Sequence, residues 1–119
     1  MTPFGRFIRH VRTEKGLLLK DIADMLGVTS AYLSAVEHGK KGQPSAAMVS
    51  QLEDKLKLTP QQRKELRAAV RDSTSSMEIP SKATPFAFET ANAFARKLPD
   101  LSEQQLRRIK SIVDQEDDK

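Results

Sequence analysis

The sequence contains no cysteine and no tryptophan, a single tyrosine and only two histidines. Without cysteine there is no disulfide, no thiol nucleophile and no cysteine-based zinc site. His10 and His38 stand far apart, and neither is read with a partner at the i+3 or i+4 spacing of a helical metal site. Ordinary surface or half-buried histidines are expected, with no metal and no other cofactor. No apolar run approaches the roughly 20 residues of a membrane span. The first residues lack an h-region and a small-residue cleavage site, so no signal peptide is read. A soluble cytoplasmic protein, without membrane association, is the expectation.

Catalytic groupings are missing too. The acidic pairs Glu53-Asp54 and Asp117-Asp118 are expected on solvated faces or at the terminus. Ser34, Glu37 and His38 share one short helical segment and cannot converge as a triad. No catalytic residue is assigned, and an enzyme is not expected.

What the 119 residues do contain is an uneven charge. Residues 1–71 carry 13 Lys/Arg against 7 Asp/Glu, a net of +6, whereas residues 72–119 carry 7 against 9, a net of −2. A basic first part is the electrostatic footprint of a polyanion binder.

Every periodic segment reads as helix, so the fold class is all-α. Phe4, Phe7, Ile8 and Val11 form an i, i+3, i+4, i+7 stripe, with Arg6, Arg9 and Arg12 interleaved and Gly16 as the stop. A second helix over Leu19 to Leu26 buries Leu19, Ile22, Ala23 and Leu26, and Gly27 ends it. Thr29 caps a third helix to about His38 with Leu33 and Val36 inward; Gly39 closes it. Ser45 opens a fourth, with Met48, Val49, Leu52 and Leu56 inward. Thr59, Pro60 and Gln62 make a capping box with proline at the first helical position, starting a fifth helix to about Arg71 with Leu66, Ala69 and Val70 inward.

The stretch 72–85, DSTSSMEIPSKATP, has no period and is read as a linker between a first domain, 1–71, and a helical C-terminal extension, 86–119. In the extension, Phe86, Ala87, Phe88, Ala91, Phe94, Ala95 and Leu98 mark a sixth helix stopped by Pro99. Ser102 and Gln105 box the start of a seventh, with Leu106, Ile109, Ile112 and Val113 on one side. The acidic end, residues 116–119, is expected to fray.

Two short helices joined by a tight turn at Gly27, the second followed by a basic loop, have the layout of a helix-turn-helix, whose second helix enters the major groove. On that helix Ser30, Ala31, Tyr32 and Ala35 lie off the core face, towards the end that reaches base edges. Serine and threonine can bond several bases, and an alanine methyl packs on a thymine methyl. Ser34, Lys40 and Lys41 are then placed to hold phosphates.

The segment GLLLKDIADMLGVTSAYLSAVEHGKKGQPS resembles the Cro/repressor-type (XRE-type) helix-turn-helix family. The resemblance rests on Gly16-Leu17, Ile22-Ala23, Leu26-Gly27-Val28, Tyr32-Leu33-Ser34, Glu37, Gly39-Lys40 and Pro44-Ser45, and covers residues 4 to about 58. It implies a five-helix, lambda-repressor-like DNA-binding domain acting as a homodimer on a palindromic operator. It also implies an ion pair between Arg12 and Glu37 that orients the recognition helix. The sequence departs from the pattern at Leu18 and Leu19, where the family carries a Ser or Thr cap followed by a phosphate-touching Gln; Lys20 is the substitute contact. Ser30, Ala31 and Ala35 stand where base-reading Gln or Arg is usual, so specificity leans on methyl contacts, Tyr32, Gln43 or DNA shape. With Thr29, these residues make up the expected DNA-binding set.

Two short amphipathic helices bury little alone. Phe86, Phe88, Phe94, Leu106, Ile109 and Ile112 are therefore read as a surface that packs on the first domain, on a second copy or on another protein. The expected function is a dimeric repressor on an inverted repeat near its own gene. The alternative is an antitoxin of a type II toxin–antitoxin pair, similar to the HigA type, whose tail clamps a toxin. A neighbouring gene for a small basic ribonuclease-like protein would favour the latter.

Overall fold

The structure, a computed structural model, describes residues 1–115; the expected fraying at 116–119 and the pair Asp117-Asp118 lie outside the described residues. Within them the chain is all helix: α1 (Pro3–Lys15), α2 (Leu19–Leu26), α3 (Ser30–Glu37), α4 (Ala46–Lys55), α5 (Pro60–Arg71), α6 (Pro85–Lys97), a 3-10 turn (Leu98–Asp100) and α7 (Glu103–Asp114). They fall into two compact units, Met1–Met77 and the residues from Glu78 on. The division lies inside the segment 72–85.

Local chemistry sets where the helices of the first unit begin. Thr2, Thr29, Ser45 and Thr59 each turn a hydroxyl oxygen onto a backbone N–H of the turn they precede, so orphan donors are satisfied before any tertiary contact forms. At α5 the reciprocal half is present as well, Thr59 N–H donating to Gln62 Oε1 at 3.0 Å. Leu18 has no oxygen to offer at the head of α2, yet its own N–H donates to Asp21 Oδ2 at 2.8 Å, half of a capping box. Between α2 and α3 the chain reverses at Gly27, φ +70°, a left-handed value that a β-carbon would strain.

The core of this unit is one cluster fed by all five helices: Phe4, Ile8 and Val11 from α1, Ile22 and Ala23 from α2, Leu33 and Val36 from α3, Met48, Val49 and Leu52 from α4, and Leu66 from α5, with Leu56 and Leu58 between the last two. Each large aliphatic or aromatic member contributes about 1.5–3 kcal/mol relative to an exposed position. Leu19 and Leu26, expected inside, are half-buried at its edge, as is Val70, and Ala69 is half-buried too.

Three sequence readings need correction. Glu53 is not on a solvated face: it is 3% exposed and receives two hydrogen bonds from Arg67, 2.8 Å from Nε and 2.9 Å from Nη2, tying α4 to α5. Those bonds lower its pKa against the opposing effect of burial. Ser73, read as linker, is buried in the first unit; its Oγ accepts from Phe4 N–H at 2.9 Å and donates to Ala69 O at 2.6 Å. His10 does have an i+4 partner: its Nε2 lies 3.6 Å from Glu14 Oε2 on the exposed face of α1. That pair is two groups only. Among the described residues no cluster of three His, Cys, Asp or Glu could hold a metal ion, and no helix is long and apolar enough to cross a membrane.

In the second unit Thr84 caps α6, donated to by Ala87 N–H at 3.0 Å, and Ser102 with Gln105 boxes α7. No described residue of α6, the 3-10 turn or α7 is buried.

Candidate nucleic-acid interface

The interface is built on α2 and α3. Leu33 and Val36 anchor α3 on the core, 0% and 2% exposed, which turns the rest of its circumference outward. Thr29, Ser30, Ala31 and Tyr32 are exposed at its N-terminal end, and Ser34 and Ala35 are half-buried behind them. Thr29 is already in use as the cap, its Oγ1 accepting from Tyr32 N–H at 3.0 Å. The hydroxyl proton is not consumed by that bond. Lys40 and Lys41 stand exposed just beyond α3, and Lys20 is exposed in the first turn of α2.

Gln43 is placed differently from the sequence reading. Its Nε2 donates to Val70 O at 2.9 Å, so the amide is spent partly on the end of α5. One N–H and the carbonyl oxygen remain for any other contact.

Glu37 closes α3 and is only 2% exposed. Its Oε1 lies 3.8 Å from Arg12 Nη2, an ion-pair distance that is too long for a hydrogen bond. Oε2 is buried with no hydrogen-bond partner among the described residues. Burial therefore dominates and raises the carboxyl pKa, opposed by Arg12 first and then by His38 and Arg9. The backbone of the same residue is better held. Glu37 O accepts from Thr2 N–H at 3.0 Å and from Thr2 Oγ1 at 2.9 Å. This clamp works because Gly5 has no side chain: a β-carbon there would sit 2.3 Å from Glu37 O. Thr2 and Gly5 thus fix the far end of α3 to α1, and neither was singled out from the sequence. A glycine inside an amphipathic helix was the available signal.

Two short helices thus pack on each other, the second with its N-terminal residues exposed, and Lys20, Lys40 and Lys41 are exposed on α2 and just after α3. Residues 8–62 match a family model described as Helix-turn-helix. Two curated proteins of Bacillus subtilis (strain 168) are similar to the chain. They are an uncharacterized HTH-type transcriptional regulator, RghRB, and an HTH-type transcriptional repressor, RghR, each 36% identical over 58 residues, or 49% of this chain. The chain spans 42% and 43% of their respective lengths. No solved structure matches it significantly. Over residues 8–62 the first unit is thus similar to the helix-turn-helix family, in agreement with the Cro/repressor-type (XRE-type) resemblance read from the sequence.

Proposed function

We propose that the chain is a DNA-binding transcriptional regulator, a repressor that lays α3 in the major groove. One observation carries this reading: Thr29, Ser30, Ala31 and Tyr32 are exposed at the N-terminal end of α3 while Leu33 and Val36 are buried beneath them. That is the end through which such a helix reaches base edges. Small side chains let the backbone sit deep in the groove. Ser30 bonds base edges, the methyls of Ala31 and Ala35 pack on thymine, and Tyr32 covers the flank. Ser34, Lys20, Lys40 and Lys41 hold phosphates and set the register without reading sequence. Gln43 contributes only what its bond to Val70 leaves over. Deformation of the DNA supplies the rest of the specificity, since no long bidentate side chain is present.

The protein acts as a homodimer on an inverted repeat, with its two α3 helices about 34–36 Å apart, one turn of DNA. It represses by occluding polymerase and does no chemistry. The relative whose name describes a transcriptional repressor supports the sign of the regulation.

The test is fluorescence anisotropy with DNA from upstream of the gene, against scrambled DNA of equal length. A preference of about a thousandfold or more supports the proposal, and equal affinity overturns it.

A further inference from the structure

The second unit presents the least expected surface of the molecule. α6 and α7 have 13 and 12 residues, both amphipathic in pattern, yet no described residue in either is buried. Their apolar sides line a shared cleft of about 720 Å³, formed by Ala87, Ala91 and Phe94 of α6, Leu101 just after the 3-10 turn, and Ile109 and Val113 of α7. Small-molecule sites have volumes of about 300–1,000 Å³ and are mostly apolar, with a few placed polar groups. Two polar side chains line this cleft, Thr90 and Lys97. The Thr90 hydroxyl is already spent, donating to Phe86 O at 2.8 Å. Lys97 is exposed, and its ammonium has no ion pair or hydrogen bond among the described residues.

We infer that this cleft binds a free straight-chain aliphatic carboxylate of about 12 carbons, its tail along α6 and its carboxylate on Lys97. Charge selects the head group. The uncommitted polar group of the lining is a cation, and it stands at the last residue of α6, at one end of an otherwise apolar trough. An anion forms a charge-assisted bond there, whereas an ammonium or a second lysine is repelled. Length selects the tail. From Ala87 to Lys97 the lining follows α6 for about 15 Å. An extended carbon chain advances about 1.25 Å per bond, so about 12 carbons cover that distance. Ala87 and Ala91, four residues apart, leave depth for a thin chain beside the α6 backbone. A polypeptide helix is too thick: at about 10 Å across it fills about 1,200 Å³ over the same length. Phe88 belongs to another side, beside Glu89, Asn92 and Arg96, and is not part of the site. The site is independent of the operator reading, and its test needs no DNA.

The experiment is isothermal titration calorimetry of the full chain with sodium dodecanoate, kept below the concentration at which it forms micelles. Saturable binding at one site per chain is expected. From octanoate to hexadecanoate, affinity should rise by up to about fourfold per methylene and level off at about 12 carbons. Dodecylamine should bind about fivefold or more weakly than dodecanoate, and Lys97→Glu should reverse that order. The reversal is a gain for the amine, which an unfolded chain does not give. Ala91→Trp fills the cleft and should weaken dodecanoate by about tenfold or more, whereas Phe88→Ala should leave it unchanged. Hydrogen exchange should show protection by dodecanoate confined to α6, the turn and α7. Absence of saturable binding overturns the proposal, as does affinity that keeps climbing with chain length, which is mere partition. Equal binding of the amine, an unaffected Ala91→Trp or an equal loss from Phe88→Ala overturns it as well. So does binding of phosphatidylglycerol vesicles in place of the free acid, or protection that follows protein concentration and ignores dodecanoate.

Discussion

Replacing Gly5 by alanine should damage the domain although alanine is the better helix former. The substitution returns about 1 kcal/mol of intrinsic propensity to α1. Against this, the new β-carbon would lie 2.3 Å from Glu37 O and 3.0 Å from Glu37 C, so α1 and the end of α3 must separate by about 1 Å. Overpacking of that kind costs about 1–3 kcal/mol. The separation also breaks both bonds from Thr2 to Glu37 O, now 3.0 and 2.9 Å, at about 0.5–1.5 kcal/mol each. The net is a loss of about 3 kcal/mol, or about 10–20 °C in Tm for a domain of this size. Gly27→Ala is the comparison. It meets nothing within 4 Å, so only its left-handed φ of +70° is strained, at about 1 kcal/mol. Urea and thermal unfolding of the full chain, followed by circular dichroism, measure both. If Gly5→Ala is as stable as the wild type, or costs no more than Gly27→Ala, the close approach of α1 to α3 is not what positions α3.

Further outcomes follow from the same structure. Glu37 has a raised folded pKa, so its contribution is present at acid pH and is lost as pH rises through that value. Glu53 has a lowered one, so its contribution is present at neutral pH and is lost as pH falls through it. Urea titrations across pH should show the first slope vanish in Glu37→Gln and the second in Glu53→Gln; unchanged slopes in both would refute the assignments. Ser73→Ala removes the acceptor of Phe4 N–H and should cost about 1–3 kcal/mol, and residues 1–77 should be correspondingly more stable than residues 1–71 by chemical denaturation. Tyr32→Ala and Ala31→Glu should abolish preference for operator DNA with the helix content intact. Lys40→Ala should weaken binding to all DNA alike and reduce the salt slope by about one unit; an unaltered slope means that lysine touches no phosphate.

Much of this was legible because it is local. Capping hydroxyls at Thr29, Ser45, Thr59 and Ser102, the box at Thr59–Gln62 and the glycine stops at Gly16 and Gly27 act within four residues of themselves, and the helices begin and end there. The family pattern pointed to Arg12 and Glu37 as neighbours, though not to a spacing of 3.8 Å with one carboxylate oxygen left unpartnered. The end of α4 was harder to read, since a lysine, Lys57 at φ +52°, occupies the left-handed position usually given to glycine.

The sequence by itself determined the helices, their order, the turn at Gly27 and the outward face of α3, because periodicity and capping are properties of a few consecutive residues. Only the tertiary structure decided that Glu53 is buried, that Ser73 belongs to the first unit and that Gln43 leans on α5. It alone set Gly5 against Glu37. Each of those depends on a partner far along the chain. Arg67 lies 14 residues from Glu53, Val70 lies 27 from Gln43, and Phe4 lies 69 from Ser73. No local pattern encodes a distance across the core, which is fixed only when the helices pack.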